Sequence, residues 1–264
     1  MHPRSQPADW PELVEKIRAL TPARLLVGRV GASYSTATQL QLREDHAAAR
    51  DAVMDELDLE RHLGGQLVQD WKLFEVATAA ASKTQYLARP DLGRRLSEQA
   101  RGSIGQRCPA GADLQIVIGD GLSVSAVAAQ VPPLLPLLDA GARQRGWRWG
   151  QPFVVRYCRV GVMNDIGELL APKALVLLIG ERPGLATAES LSAYMAYRPR
   201  AGHTDADRNL ISNIHLRGVG PENAALRILN LAAQMMAGAI SGAQLKEALS
   251  LTTNAASGSD PGGE

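Results

Sequence analysis

Apolar residues recur along this chain with two different periods, and the change falls near residue 112. From about residue 9 to 111 the spacing is helical. In WPELVEKIRAL, Leu13, Ile17 and Leu20 share one helical face. TATQLQLREDHAAARDAVMDEL is built largely from Ala, Leu, Gln and Glu, all good helix formers. Past the loop HLGGQL come further hydrophobic and Ala-rich stretches, then RPDLGRRLSEQARGSI. There Pro90 suits a first helical turn, and Asp91 the positive end of a helix dipole.

Beyond Asp113, short continuous apolar runs alternate with helical stretches. LQIVIGDGLSVSAVAAQ reads as a buried strand, a glycine-containing turn and a helix with Ser123 and Ser125 as candidate caps. VPPLLPLLDAGARQRG reads as the helix that follows, its start broken or delayed by Pro132, Pro133 and Pro136. PFVVRYCRV gives a second strand, NDIGELLAP a short helix capped by Asn164 or Asp165, and ALVLLIGERPG a third strand. AESLSAYMAYRPR supplies a helix with room for a fourth strand. ENAALRILNLAAQMMAGAISGAQLKEAL supplies one or two helices, interrupted at Gly238 and Gly242.

This alternation predicts an α/β fold: a helical N-terminal region followed by a Rossmann-like, mostly parallel sheet domain covered by helices. The expected division is an N-terminal extension or helix over 1–24, a mainly helical domain over 25–111, an α/β domain over 112–250 and a tail over 251–264. The small polar residues of that tail predict disorder. Right-handed crossovers bring parallel strands' C-terminal ends to one edge, where ligands of such sheets bind. Three turns should meet there: Gly119-Asp120-Gly121-Leu122-Ser123, Arg159-Val160-Gly161 and Gly180-Glu181-Arg182-Pro183-Gly184.

Each turn carries a limited chemical signal. Gly119 and Gly121 allow close backbone approach to a ligand, but G-x-G-x-x-G is incomplete, which argues against NAD. Glu181, beside the stiff Pro183, could accept hydrogen bonds from a ligand or pair internally with Arg182, Arg156 or Arg159. GHTDADRNLISNIH gathers His203, Asp205, Asp207, Arg208, Asn209, Asn213 and His215. A capped helix start near Thr204 accounts for its two aspartates better than a metal does. Ser212 and Asn213 suit hydrogen bonds to a loop or a partner subunit.

Composition narrows the classes further. The chain has 264 residues, 45% of them hydrophobic, and a formal net charge of +1, which gives no electrostatic footprint for nucleic acid or an anionic membrane. No apolar stretch in the sequence reads as long enough to cross a bilayer, and the N-terminus lacks a signal-peptide core. Cys108 and Cys158 lie far apart without metal-type spacing, which suits a reducing cytosol, and Cys158 reads as an inert thiol within an apolar strand. There is no P-loop, no evident nucleophilic set and no D-x-H-x-x-G stretch of the histidine-swapping cobalamin type. The residues alone describe an α/β domain with a polar crevice and no evident catalytic machinery.

Taken together, however, several stretches resemble the small (light) subunit of ethanolamine ammonia-lyase. They are GRVGA near the start, YLARPDLGRRL (86–96), IVIGDGLSVSAV (116–127), PFVVRYCRV (152–160), IGELL (166–170), LIGERPGL (178–185), SLSAYMAYRPR (190–200) and DADRNLISNIH (205–215). They occur in order between about Leu25 and Leu249. The resemblance implies a subunit of an adenosylcobalamin-dependent lyase that converts ethanolamine to acetaldehyde and ammonia by a radical mechanism. It implies a TIM-barrel large subunit as partner in a higher-order heteromer, with no activity from this chain alone.

The resemblance also implies that no catalytic residue lies on this chain and that cobalt is held by the corrin rather than by protein ligands. Family cobalamin contacts carry over to Val160, Glu181 and Leu210, the last standing where Cys is common. Gly121, Ser123, Arg159 and Arg182 join them from the geometry of the strand-end edge rather than from the family. A non-catalytic corrinoid-binding or assembly protein of the same fold is the alternative. Neither nucleic acid nor membrane is an expected partner. The expected location is the cytoplasm, with a bacterial microcompartment as a further destination.

Overall fold

The computed structural model describes residues 10–20, 29–184 and 187–247. The tail expected to be disordered, 251–264, lies outside them. Of the expected N-terminal extension, only helix α1 (Trp10–Leu20) lies within them. A small antiparallel pair, β1 (Arg29–Val30) and β2 (Ser33–Tyr34), turns at Gly31 and leads into α2 (Thr36–Met54). The Ser35 hydroxyl accepts from the Thr38 amide and so caps α2, a helix with no buried residue that lies outside the core. The short helices α3 (Leu59–Leu63) and α4 (Gly65–Asp70) follow, and through Leu63 they begin the packed part of the molecule.

Strand β3 (Glu75–Ala77), α5 (Lys83–Ala88) and α6 (Glu98–Arg107) complete the first half. Then come β4 (Leu114–Gly119), α7 (Val124–Gln144), β5 (Phe153–Arg156), α8 (Val162–Leu170), β6 (Ala174–Gly180), β7 (Leu191–Tyr197), β8 (Asn209–Ile214) and α9 (Pro221–Gly238). Six strands form one sheet in the order β3-β5-β4-β6-β7-β8. The first four are mutually parallel, and β7 and β8 extend the sheet antiparallel. The protein is thus a mixed α/β structure around a mostly parallel sheet.

Every residue of β4 and of β6 is buried, which explains their unbroken apolar runs. Alternate side chains of β4 enter different cores. Leu114, Ile116 and Ile118 pack with α7, α9 and Leu63 on one face, whereas Val117 packs with α6 and α8 on the other. Consequently β4 and its neighbour β5 are followed by helices on opposite faces, and that divergence opens a crevice at their C-terminal ends.

Several elements differ from the pattern-based expectation. Helix α7 runs unbroken through Pro132, Pro133 and Pro136. Pro133 and Pro136 are exposed and Pro132 is half-buried, so carbonyls that lose an N–H partner face the solvent side, while Val131, Leu134, Leu135 and Leu138 hold the other face in the core. By length and composition alone this helix is also long and apolar enough to cross a membrane, contrary to the expectation that no stretch would be; half of its apolar stretch is buried inside the protein. Residues 191–197 form a strand throughout instead of a helix, because Leu191, Ala193 and Met195 enter the core from a strand paired along all of β6. After Thr204 comes a single 3-10 turn, Asp205–Asp207, and then β8.

Helix α8 starts at Val162, ahead of the expected caps. Asp165 sits within its first turn and accepts from the Leu96 amide at 2.9 Å and Arg101 at 2.6 Å. Helix α9 ends at Gly238, one of the two expected interruptions. Gly242, the other, adopts φ +78° against the Asp207 backbone.

The boundary expected at 111/112 falls between α6 and β4, yet β3 crosses it to pair with β5 from Glu75↔Val154 to Ala77↔Arg156. Phe74 also stacks on Phe153 at 5.5 Å between ring centroids. Removal of residues 1–111 should therefore expose an unpaired β5 edge and the apolar faces of Phe153 and Val155. We expect a fragment beginning at Ala112 to lack a cooperative thermal transition by circular dichroism. A sharp two-state transition would instead show that the second half folds independently.

Candidate functional site

The crevice is assembled by a buried aspartate. Asp120, 1% exposed, follows the last residue of β4. Its carboxylate accepts from the backbone N–H of Tyr157 and of Cys158, both at 2.8 Å. The end of β4 is thereby tied to the turn after β5, where Tyr157 takes φ 56°. Burial pushes the Asp120 carboxyl above its ordinary value, against the pull of Lys83 and of the Cys158, Tyr157 and Gly121 amides. The Lys83 ammonium, 4.0 Å away and 4% exposed, is in turn drawn below its ordinary value, chiefly by burial. Tyr86 completes the tie, its hydroxyl donating to the Cys158 carbonyl at 3.0 Å.

On the other side, the β4 and β6 ends meet backbone to backbone. Gly121 has φ +56°, and a Cβ there would lie 2.3 Å from the Gly180 carbonyl oxygen; one on Gly180 would lie 2.0 Å from that of Ser123. These are distances no side chain tolerates, so both positions require glycine. The Leu122 amide donates to the Gly180 carbonyl at 3.1 Å, which seals the contact.

Glu181 emerges directly from this junction. Its carboxylate accepts from the hydroxyls of Ser190 at 2.7 Å and Ser192 at 2.5 Å, and from the Asn213 amide at 3.3 Å. Asn213 thus serves a loop-fixing role through its main chain, at φ 56°. Arg156, one conceivable internal partner for Glu181, turns instead to Glu56 and Glu75. Glu181 is therefore oriented by neutral donors. An ionised carboxylate offers about four acceptor directions, so three donors leave it capacity for another.

A cleft of about 270 Å³ results, and it brings together Val160, Glu181, Leu210, Gly121, Arg159 and Arg182. Ser123 does not join them. It is fully buried, caps α7 by accepting from the Ala126 amide at 3.1 Å and donates to the Ala188 carbonyl, so its role is structural. Tyr86, Tyr194 and Ser212 also line the cleft. Leu210 is 46% exposed at the mouth, a large apolar side chain left facing outward. Cys158 lies after the end of β5 rather than within it. It is fully buried, and burial raises its thiol well above the ordinary value, so it stays protonated.

Elsewhere, Thr204 and Asp207 form the expected cap: Asp207 accepts from the Thr204 amide at 2.7 Å, and the Thr204 hydroxyl accepts from Ala206. Arg208 binds Asp205 and Asn164. Sequence reasoning missed Asp120, Lys83 and Tyr86. Asp120 stood in view between two glycines, but nothing in the spacing marks Tyr86 as its neighbour across the β5 turn.

The sequence model of the ethanolamine ammonia-lyase light chain (EutC) family matches residues 11–246. The chain belongs to that family. It is similar to the ethanolamine ammonia-lyase small subunit of Clostridium perfringens, at 41% identity over 240 residues, covering 91% of this chain and 79% of the relative. It is also similar to the small subunit of that name from Fusobacterium nucleatum subsp. nucleatum, at 39% identity over 231 residues, covering 88% and 76%. All seven residues proposed for the crevice fall within the stretch matched to this family of lyase subunits.

Replacing Asp120 with Ala would leave two buried amides unpaired. We expect Asp120→Ala to lower unfolding stability by roughly 2–4 kcal/mol in denaturant titrations. A loss under about 0.5 kcal/mol, within the range of ordinary surface changes, would remove Asp120 from this organising role.

Proposed function

We propose that this chain is the small subunit of an adenosylcobalamin-dependent ethanolamine ammonia-lyase and that its strand-end crevice is one half of a cobalamin cradle. The observation that carries the reading is the convergence, in a chain of this family, of Val160, Glu181 and Leu210 on a single cleft. A cleft of about 270 Å³ lies below the usual range for enclosing even a drug-sized ligand. A corrinoid is much larger, so the other half of its surface requires a second polypeptide. The partner in this reading is a TIM-barrel large subunit, within a higher-order heteromer in the cytoplasm or a bacterial microcompartment.

The donor set fits such a group. Corrins carry peripheral amides, whose N–H groups are donors, around a broad apolar ring. Glu181 supplies a fixed acceptor for one of those amides, held in place by Ser190 and Ser192. Val160 and the exposed Leu210 supply apolar cover, a contact that needs no thiol at position 210. Gly121 and Gly180 let the two strand-end turns meet backbone to backbone at the edge of the crevice. Adenosylcobalamin, when bound, supplies a cobalt–carbon bond that breaks homolytically. This chain's contribution is to bind, orient and exclude water, and the substrate chemistry is assigned to the large subunit.

Two measurements test this. Co-expression with a cognate large subunit should give coenzyme-dependent acetaldehyde formation, and either chain alone should give none. A complex that binds cobalamin without turnover would favour the alternative, a non-catalytic corrinoid-binding protein. Glu181→Gln preserves shape but weakens the acceptor, and it should raise the apparent cobalamin Kd of the complex by about tenfold, the loss expected for one charge-assisted hydrogen bond. Unchanged affinity would return Glu181 to a purely structural role.

A further inference from the structure

Beside the cobalamin crevice lies a second cleft of about 590 Å³ that shares Arg159, Val160 and Tyr194 with it. Arg94, Arg95 and Arg208 also line it. Its two carboxylates are already taken: Asp165 is held by Arg101 at 2.6 Å, and Asp205 by Arg208 at 2.5 Å. Among the described residues, Arg94, Arg95 and Arg159 form no ion pair with any carboxylate. Four arginines against two aspartates thus line one space, with Arg94, Arg95 and Arg159 outside the ion pairs that hold those aspartates. An excess of guanidinium over carboxylate groups along one cleft favours an anion there.

Two of the arginines, Arg94 and Arg159, are held there by reciprocal packing. Arg159 runs across Gly93, where a Cβ would come within 2.7 Å of its Cγ, and Arg94 runs across Gly161, where a Cβ would come within 2.9 Å of its Cγ. The Arg159 amide donates to the Gly93 carbonyl at 2.8 Å, so the 93–95 turn and the 159–161 turn interlock. The Arg159 guanidinium also lies 4.4 Å from the centroid of the Tyr86 ring. Arg208, whose side chain is only 4% exposed, and Arg159 each keep a buried Nε without a hydrogen-bond partner among the described residues. This gives a role to RPDLGRR, a stretch for which the crevice alone has no use.

We propose that this arginine cleft is a phosphate subsite that takes the anionic end of the ligand seated in the adjoining crevice. Guanidinium groups arriving from two turns match the spread of oxygens on a tetrahedral phosphoryl group, and their planar forks bind such oxygens in pairs. The inference rests on the cobalamin reading above, because the anion then is the phosphodiester that cobalamin carries in its nucleotide loop. Val160 and Tyr194, common to both clefts, mark the passage between the amide-fringed corrin and this charged group.

The test compares two corrinoids on the complex of this chain with its large subunit, by absorbance titration. Hydroxocobalamin contains the phosphodiester; cobinamide lacks it together with the nucleotide. Arg94→Gln and Arg95→Gln should each weaken hydroxocobalamin binding by roughly tenfold while cobinamide changes less than about twofold. Equal losses for both ligands, or no loss for either, would overturn the subsite. If the unaltered complex bound neither corrinoid, the cobalamin reading would fail, and inorganic phosphate would decide for the cleft itself. A phosphate-dependent rise in Tm of the full chain, abolished by Arg95→Gln, would uphold an anion site; no rise would reject it.

Discussion

The crevice depends on one buried carboxylate. Asp120 stands where β4 ends, and α7 and α8 lead the chain to opposite faces of the sheet after β4 and β5. Divergence alone would leave the strand ends free to spread. The two amides bound by Asp120 fix the β5 turn against the β4 end, and Tyr86 fastens the same turn from α5. Taking a carboxylate out of water is costly, and backbone donors and the Lys83 ammonium offset that cost only in part, since burial still holds the Asp120 carboxyl above its ordinary value. Two of the residues that line the cleft are placed from this junction: Val160 is three residues beyond Tyr157, and Glu181 follows the glycine on which Gly121 rests.

Much of the sheet was legible because its central strands are buried on both sides. β4 and β6 announce themselves as unbroken apolar runs. β7 does not, since LSAYMAY mixes strand and helix formers and becomes a strand only by pairing along β6. β3 has three residues, too few for any period, and exists because β5 offers an edge. The prolines of α7 misled for a related reason: their local penalty is outweighed by a face of leucines and valines in the core. Tertiary context decided each of these elements.

The site was legible to a similar depth. Turns at parallel strand ends gather on one edge, so Val160, Arg159, Gly121, Glu181 and Arg182 could be brought together from topology. Ser123 shares their stretch of sequence but faces inward, because its hydroxyl caps the helix that follows. Tyr86 and Lys83 come from α5, in the part of the chain that reads as helical, and reach the site over separations that no local pattern encodes. The arginines at 94 and 95 are similar. Arg94 meets the 159–161 turn by packing over Gly161, a contact that no local pattern encodes.

Hydrogen–deuterium exchange on the complex with its large subunit, with and without cobalamin, tests the central claim most directly. The account predicts added protection over residues 157–161, 180–182 and 210–213 when cobalamin binds, with the β4 and β6 interior unchanged. Protection confined to other parts of this chain, or to the large subunit alone, would contradict it.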